Sequence, residues 1–500
     1  MKRILSAILC VILLLSAAFT LGACNKEEEE AAATTVTAGG DGTADLYGDL
    51  PKGYYDDYEF NILNNISNYG LTTMDAEDSS TNINAAIYQR NRYIEQELGI
   101  KFKVTEQGYD ECKNTISNLV GTATHTYDIC YNESWAQAIL SQQGIYISTN
   151  SYAEYLNLDK PWWYKDDMDN LTIADNSFFL IGDMQMMWND STWCLAFNKD
   201  ILDQHGVDNP YELVTEGTWT LEVLNKMTED TRIDGGDEYR YGVVSHIGVS
   251  SAFLAGGGVE LVERTSEGKL KLTTADDYLI NVYTDVLNYF FKSNGEGMNN
   301  WIRTSYDSAS WNGGNGAFPD KDFQGRFLSG NAVFMGGTVG DMRTYLPSSE
   351  INYGIVPMPK YDDELQSQYT GLVYEGGAVC GIPMTMPSKE ALERTCTVLE
   401  WLGAYSYQML KPVYYDEIIK ARTANDPESA VMLDIVFGYD QRGKTVMELD
   451  NIFRLGTASA IQLRISDAST AIKSAISGQS IIVNAKLEDI YEYYGSNGEY

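Results

Sequence analysis

The stretch from Tyr58 to about residue 143 constrains the fold most, because its hydrophobic period switches repeatedly between that of a strand and that of a helix. Phe60-Asn61-Ile62-Leu63 is a short apolar run ending in Asn64-Asn65, which reads as a strand followed by a polar loop. Residues 82–98 carry Ile83, Ile87, Tyr93, Ile94 and Leu98 at roughly helical spacing, and Gly99 closes the element. Ile100, Phe102 and Val104 then alternate with Lys101, Lys103 and Thr105, a period-two strand. A helix over about 109–120, a strand at Tyr127-Asp128-Ile129-Cys130-Tyr131 and a helix over 134–143 complete the run. Strand, helix, strand, helix, strand predicts an α/β fold whose parallel sheet is wrapped by helices. Ligands of such sheets sit outside the carboxyl ends of the strands, which points to Asn64-Asn65 and to Asn132-Glu133-Ser134-Trp135.

Further along, Thr218-Trp219-Thr220-Leu221-Glu222 opens a helix with Thr220 as N-cap. Residues 275–291 predict an amphipathic helix with Leu279, Val282, Tyr283, Val286, Leu287 and Phe290 on one side and Asp276 and Asp277 in its first turn. Residues 388–409 read as helical, and Asp426-Pro427-Glu428 starts another helix with proline well placed. There is no internal repeat. A chain of 500 residues suggests two or three domains, or two large lobes. At 44% hydrophobic it is too apolar to be disordered. Its net charge of -36 lacks the basic face that phosphate contacts need, so nucleic acid is not an expected partner.

The first residues carry an address. Lys2 and Arg3 precede an almost unbroken apolar run from Ile4 to Leu21, and Leu21-Gly22-Ala23-Cys24 follows. Charged start, apolar core and small-residue cleavage site make a secretory signal, residues 1–23. The tail of this segment resembles a bacterial lipobox, in which the cysteine becomes the first mature residue and is lipidated, so Cys24 is the expected lipidation site. Stable anchoring takes two acyl chains at about 0.8 kcal/mol per buried CH₂. Residues 25–52, four glutamates followed mostly by Ala, Thr, Gly and Asp, cannot bury a core and read as a flexible linker spanning about 30 Å. The expected location is the outer face of the cell membrane, reached by lipid alone. Cys112, Cys130, Cys194, Cys380 and Cys396 remain; they show no close-spaced framework and read as buried thiols.

Other patterns fail on context. Gly438-Tyr439-Asp440-Gln441-Arg442-Gly443-Lys444-Thr445 fits a phosphate loop letter for letter, yet the segment before it has helical spacing where a strand is required. Asp234-Gly235-Gly236-Asp237-Glu238 lacks the ligand ladder of a calcium loop, and His125, His205 and His246 have no zinc-protease spacing. No metal or other cofactor is expected. Paired carboxylates could make a glycosidase, but 71 acidic residues guarantee many meaningless pairs.

Several segments in order resemble the extracellular solute-binding proteins of ABC importers, carbohydrate-binding type 1. These are Tyr127-Asp128-Ile129, Phe197-Asn198-Lys199, Gly217-Thr218-Trp219-Thr220, Gly330-Asn331-Ala332-Val333-Phe334-Met335, Tyr353 through Lys360, and Ile382-Pro383 through Pro387-Ser388-Lys389-Glu390. The resemblance implies a two-lobed, hinged periplasmic-binding-protein-like fold, a monomer that closes on a carbohydrate of oligosaccharide size and docks on the permease subunits. Carried over by segment, one lobe comprises 53–190 plus 333–383 and the other 191–332 plus 384–500. A secreted carbohydrate-active enzyme, or a binding protein for a peptide or another polar solute, stays open as an alternative.

A sugar offers C–H faces that stack on aromatic rings and hydroxyls that need partners once water is excluded. With 35 tyrosines, 15 phenylalanines and 9 tryptophans, loop context must choose among the rings. Trp135 leads, in the loop after the third strand beside Glu133. Trp188 and Asp190 sit just before the expected first crossing between lobes, and Trp311 is flanked by Asn312-Gly313-Gly314. Asn64, Asn65, Thr338 and Asp341 are the further polar candidates, whereas Trp162 and Trp163 read as packing residues.

Overall fold

The computed structural model describes residues 46–66, 71, 73–76, 81–122, 124–233, 240–246, 248–291, 323–419, 427–466 and 469–496. The amino-terminal apolar segment, Cys24, most of the linker, Asp234–Glu238 and Trp311 lie outside the described residues. The chain divides into two units, Met1–Asp49 and Leu50–Tyr500. Only a turn at 46–49 is described in the first; all that follows concerns the second.

Its first sheet is built from the predicted alternation: β1 (Tyr58–Ile66), α1 (Asn82–Leu98), β2 (Ile100–Gly108), α2 (Tyr109–Thr122), β3 (Ile129–Glu133) and α3 (Ser134–Ser141). Local chemistry sets the boundaries. Thr81 caps α1 by accepting from the Asn84 N–H, and Gly99 ends it at φ 60°, where a side chain would be strained. Lys101 and Lys103 are exposed while Ile100 and Phe102 are buried, as suits the edge position of β2. β1 runs parallel to β2 from Tyr58↔Ile100 to Ile66↔Gly108 and parallel to β3 at Ile62↔Ile129. Asp128 pins the third strand, accepting from the Asn61 N–H and the Tyr58 hydroxyl, both at 2.8 Å. Two loop readings change here. Asn64 and Asn65 still belong to β1, which the ladder to β2 extends to Ile66, and Trp135 is the second residue of α3.

The second sheet contains β4 (Trp193–Asn198) and β5 (Tyr241–Val244), with β8 (Ala332–Thr338) and β9 (Tyr353–Val356), in the order β5-β8-β4-β9. Between β5 and β8 in sequence, β6 (Val262–Arg264) and β7 (Leu270–Leu272) form a small antiparallel pair. β4 is buried along its whole length, as a central strand covered on both faces should be. Later, β10 (Tyr369–Val373) pairs parallel with β12 (Gly443–Met447), and β11 (Ala378–Gly381) joins the first sheet antiparallel to β3. The two sheets are linked where chain segments run side by side: the Tyr374 N–H donates to Ser191 O at 2.8 Å, and Thr192 bridges Val373.

Strand pairing departs from the expected lobe assignment. Residues 333–356, placed with the first lobe by sequence, supply β8 and β9, which hydrogen-bond to β4 in the second sheet. An all-apolar strand fits either sheet by period alone, so only its partner decides. The helices divide likewise. After α4 (Met187–Asp190) and α5 (Val339–Tyr345), α6 (Lys389–Tyr405) packs on α1, with Tyr93 and Tyr405 ring centres 4.6 Å apart. A π-helical turn at Ser406–Leu410 connects α6 to α7 (Lys411–Ile419).

Thr220 caps the helix Leu221–Thr231, accepting from the Val223 N–H. The helix expected over 275–291 is α-helical only over Asp277–Val286 and widens into a π turn at Leu287–Phe291. α8 (Pro427–Val436) precedes β12, so Gly443-Lys444-Thr445 lie in a strand that follows a helix, the reverse of a phosphate loop. Cys112, Cys130, Cys194, Cys380 and Cys396 are buried free thiols, and burial pushes Cys112 and Cys380 to about 12. Among the described residues no helix is long and apolar enough to cross a membrane.

Glu448 supplies a pH test of the packing. It accepts from the N–H groups of Leu261 and Asp450, and burial, with the Asp450 carboxylate nearby, pushes it up to about 8. The folded chain therefore keeps a proton that the unfolded chain loses near the ordinary value of 4.5, and stability falls as pH rises from there through 8. Glu448→Gln is expected to flatten the dependence of melting temperature on pH between about 5 and 9, and to melt above the parent at the alkaline end. An unchanged pH profile would contradict it.

Candidate functional site

The carboxyl ends of β1, β2 and β3 gather polar and aromatic groups. Asn132 organises them: its side-chain N–H₂ donates to Tyr109 O at 3.2 Å, and its side-chain oxygen accepts from the Glu133 N–H at 2.9 Å. One residue thus fixes both the start of α2 and the end of β3. Glu133 closes β3, and the indole N–H of Trp135 donates to its Oε2. The start of α3 is tied to the segment entering β11, with Ser134 Oγ donating to Glu375 O at 2.8 Å and the Ser134 N–H to Gly377 O.

Trp135 is the centre of this group. The Tyr109 ring lies edge-on to it at 6.0 Å, the Arg454 guanidinium over it at 4.4 Å, and the Lys113 ammonium at 5.2 Å. Cation–aromatic contacts hold the ring in place and are worth about 0.5–1 kcal/mol each at exposed positions. Arg454 also pairs with Glu375 at 3.1 Å, and its backbone is left-handed at φ 50°. Non-glycine residues there are strained, and such strain concentrates at ligand clamps. Burial pushes Glu133 up to about 7, opposed by the Trp135 N–H and by Arg454 and assisted by Glu375 and Asp110. Burial raises Glu375 as well. A carboxyl near 7 exchanges its proton at neutral pH, and as an anion it accepts hydrogen bonds strongly.

Two amides sit at the same edge. Asn65 is fully buried with neither side-chain polar atom hydrogen-bonded, and it stands in register with Gln107, whose buried Oε1 is likewise unsatisfied. Unsatisfied buried amides are rare, because each costs about 1–3 kcal/mol.

Across the crossing, the matching edge of the second sheet presents Trp193 at the start of β4 and Ser245-His246 at the end of β5. Burial lowers His246, which favours its neutral form, and Nδ1 accepts from the Gly248 N–H at 3.1 Å. A Cβ on Gly248 would come within 3.0 Å of the Trp193 ring, so glycine permits that packing. Ser245 Oγ is buried and without a hydrogen-bond partner.

Four of the remaining sequence candidates are held by internal partners. Trp188 is 2% exposed, and its N–H donates to Asp167 Oδ2 at 2.8 Å. Asp190 is saturated by Arg343 at 2.7 and 3.2 Å, the Tyr414 hydroxyl at 2.8 Å and the Leu71 N–H. Thr338 and Asp341 form a reciprocal capping box at the start of α5. Internal partners thus account for all four polar groups. Trp162 and Trp163 are buried and both donate to Glu400.

The grouping brings Glu133 and Trp135 together with Tyr109, Glu375 and Arg454, which sequence reasoning did not select, while Asn65 stands at the end of the neighbouring strand. Tyr374-Glu375-Gly376-Gly377 carried a signal, as a polar, glycine-containing turn between apolar runs. Phe453-Arg454-Leu455-Gly456 carried none.

No family model matches the sequence, and no curated protein matches it. Solved structures do share its architecture. An ABC substrate-binding protein from Listeria monocytogenes in complex with cycloalternan superposes with a TM-score of 0.55 at 12% identity, covering 87% of this chain and 100% of that one. The maltose-binding periplasmic protein MalE from Listeria monocytogenes, in complex with maltose, has a TM-score of 0.56 at 15% identity over 87% and 99% of the two chains. UgpB from Mycobacterium tuberculosis, in complex with glycerophosphocholine, has a TM-score of 0.55 at 13% identity over 87% and 98%. At such identities the likeness is one of fold: mixed α/β, two-lobed, like the periplasmic binding proteins.

Proposed function

We propose that this chain is the substrate-binding component of an ABC importer, which captures a carbohydrate of oligosaccharide size by lobe closure and hands it to a membrane permease unchanged. The observation that carries this reading is the constellation at the carboxyl edge of the first sheet: the half-buried Trp135 ring, the Glu133 carboxyl bonded to it and the unsatisfied Asn65 amide. A ring supplies a stacking face, a carboxylate accepts from hydroxyls, and a buried amide gains what it lacks when a hydroxyl arrives. The likeness to sugar-binding proteins of importers supports the choice of guest. Cys24 is the lipid attachment point in this reading, and the acidic linker lets the body turn toward its permease. Lobe membership follows the sheets: 53–190 with β11 in one lobe, and β4, β5, β8 and β9 in the other.

Closure transmits a signal only if the guest binds the closed form better than the open one. A thermal-shift screen over oligosaccharides tests the reading, since a guest at about 100 times its Kd adds ~2.7 kcal/mol. Trp135→Ala should weaken the best guest by about 1–3 kcal/mol, the scale of stacking one flat ring on another. Unchanged calorimetric affinity removes Trp135 from the site. Release of shorter sugars on prolonged incubation would contradict the non-enzymatic reading.

A further inference from the structure

The charges around the Trp135 ring do not balance. Arg454 is paired with Glu375 at 3.1 Å and Lys113 with Asp110 at 3.2 Å, so both cations over the ring already hold a carboxylate. Glu133 has no cation in salt-bridge contact; Arg454, already paired with Glu375, favours its anion only through space. The group that donates to it is the Trp135 indole, a neutral donor. At the end of the neighbouring strand β1, Asn65 is wholly buried with both amide atoms unsatisfied, and Gln107 Oε1, in register with it on β2, is unsatisfied too. Acceptors therefore outnumber donors at this strand edge: Asn65 Oδ1 and Gln107 Oε1, with the Glu133 oxygens, against the unsatisfied Asn65 N–H₂.

An environment of this kind is completed by a guest that brings N–H or O–H groups. A phosphate or carboxylate brings acceptors and a second negative charge. In a closed, water-poor cleft that charge is repelled by Glu133 more strongly than in solvent, where screening at ~0.15 M salt confines fields to about 8 Å. The chain's overall charge of -36 has the same sign, but screening leaves the decision to the local groups. The pairing of Arg454 and Lys113 matters because a free guanidinium would reverse the preference, as it is well suited to carboxylate and phosphate.

We infer that this cleft admits donor-rich guests that are neutral or cationic, amino sugars among them, and turns away phosphorylated and carboxylated sugars, with Glu133 as the residue that sets the choice. The inference rests on the carbohydrate-binding reading above and narrows it. A pocket that discriminates by charge does so partly by repelling the wrong guest, rather than only by attracting the right one.

Calorimetry on the full chain at about pH 8.5, where Glu133, held near 7 by burial, is ionised, tests this with maltotriose and cellotriose, each beside its C6-carboxylated form. The expected result is that the carboxylated trisaccharide binds at least about tenfold more weakly than its neutral parent. Glu133→Gln should narrow that gap at least about threefold, even if it also weakens the neutral sugar, whereas Glu133→Asp, which keeps the charge, should preserve it. Equal affinity for the acid and neutral forms, or a gap that Glu133→Gln leaves intact in a folded variant, overturns the inference while leaving carbohydrate binding standing. Binding of neither neutral trisaccharide counts against the carbohydrate reading and takes the inference with it.

Discussion

Asp190→Ala is expected to destabilise the protein by about 3–5 kcal/mol, the cost of breaking one partner out of a buried ion pair. Asp190 is fully enclosed, and its carboxylate accepts from Arg343, Tyr414 and Leu71, drawing together α5, α7 and the chain beyond β1. Removing it leaves the Arg343 guanidinium, itself mostly buried, facing two orphaned donors. Asp190→Asn keeps an acceptor and should cost less. Chemical denaturation measures the loss, and a change below about 1 kcal/mol would show that the contact is not load-sharing at all.

Trp188→Ala is expected to cost a further large amount, about 3–5 kcal/mol, as deletion of a fully buried indole usually does. Its ring packs against Gly377, where a Cβ would come within 3.0 Å, and its N–H is one of two side-chain donors to the buried Asp167, the other being the Thr445 hydroxyl. The loss should appear in denaturation, while the sugar affinity of the folded fraction stays within about twofold of the parent. A variant of undiminished stability that fails to bind sugar would return Trp188 to the ligand site. These two residues separate the roles of buried polar groups near the crossing from those at the carboxyl edge.

Much of the fold was legible because its signals are local. Thr220 before Leu221, Gly99 after Leu98 and Pro427 at a helix start each act on their own turn of backbone, and the structure uses each of them so. Strand partnership is not local. β8 and β9 read as apolar runs whichever sheet they join, and pairing with β4 is a long-range fact. The candidate site divides the same way. Glu133 and Trp135 were visible in the sequence because they lie where an apolar strand ends: Glu133 is the last residue of β3 and Trp135 the second of α3. Arg454 was not, because its place over Trp135 depends on α-helical and loop segments far along the chain. Asp190 and Asp341 drew attention as acids in promising loops, yet the partners that satisfy them, Arg343 and Thr338, are identifiable only once α5 is in place.

The most direct test of the central claim is small-angle scattering of the full chain with and without a sugar that raises its melting temperature. A hinged clamp should give a smaller radius of gyration at saturation and return to the starting value when the sugar is dialysed away, with the sugar recovered intact. An unchanged radius of gyration with the sugar demonstrably bound would contradict capture by closure.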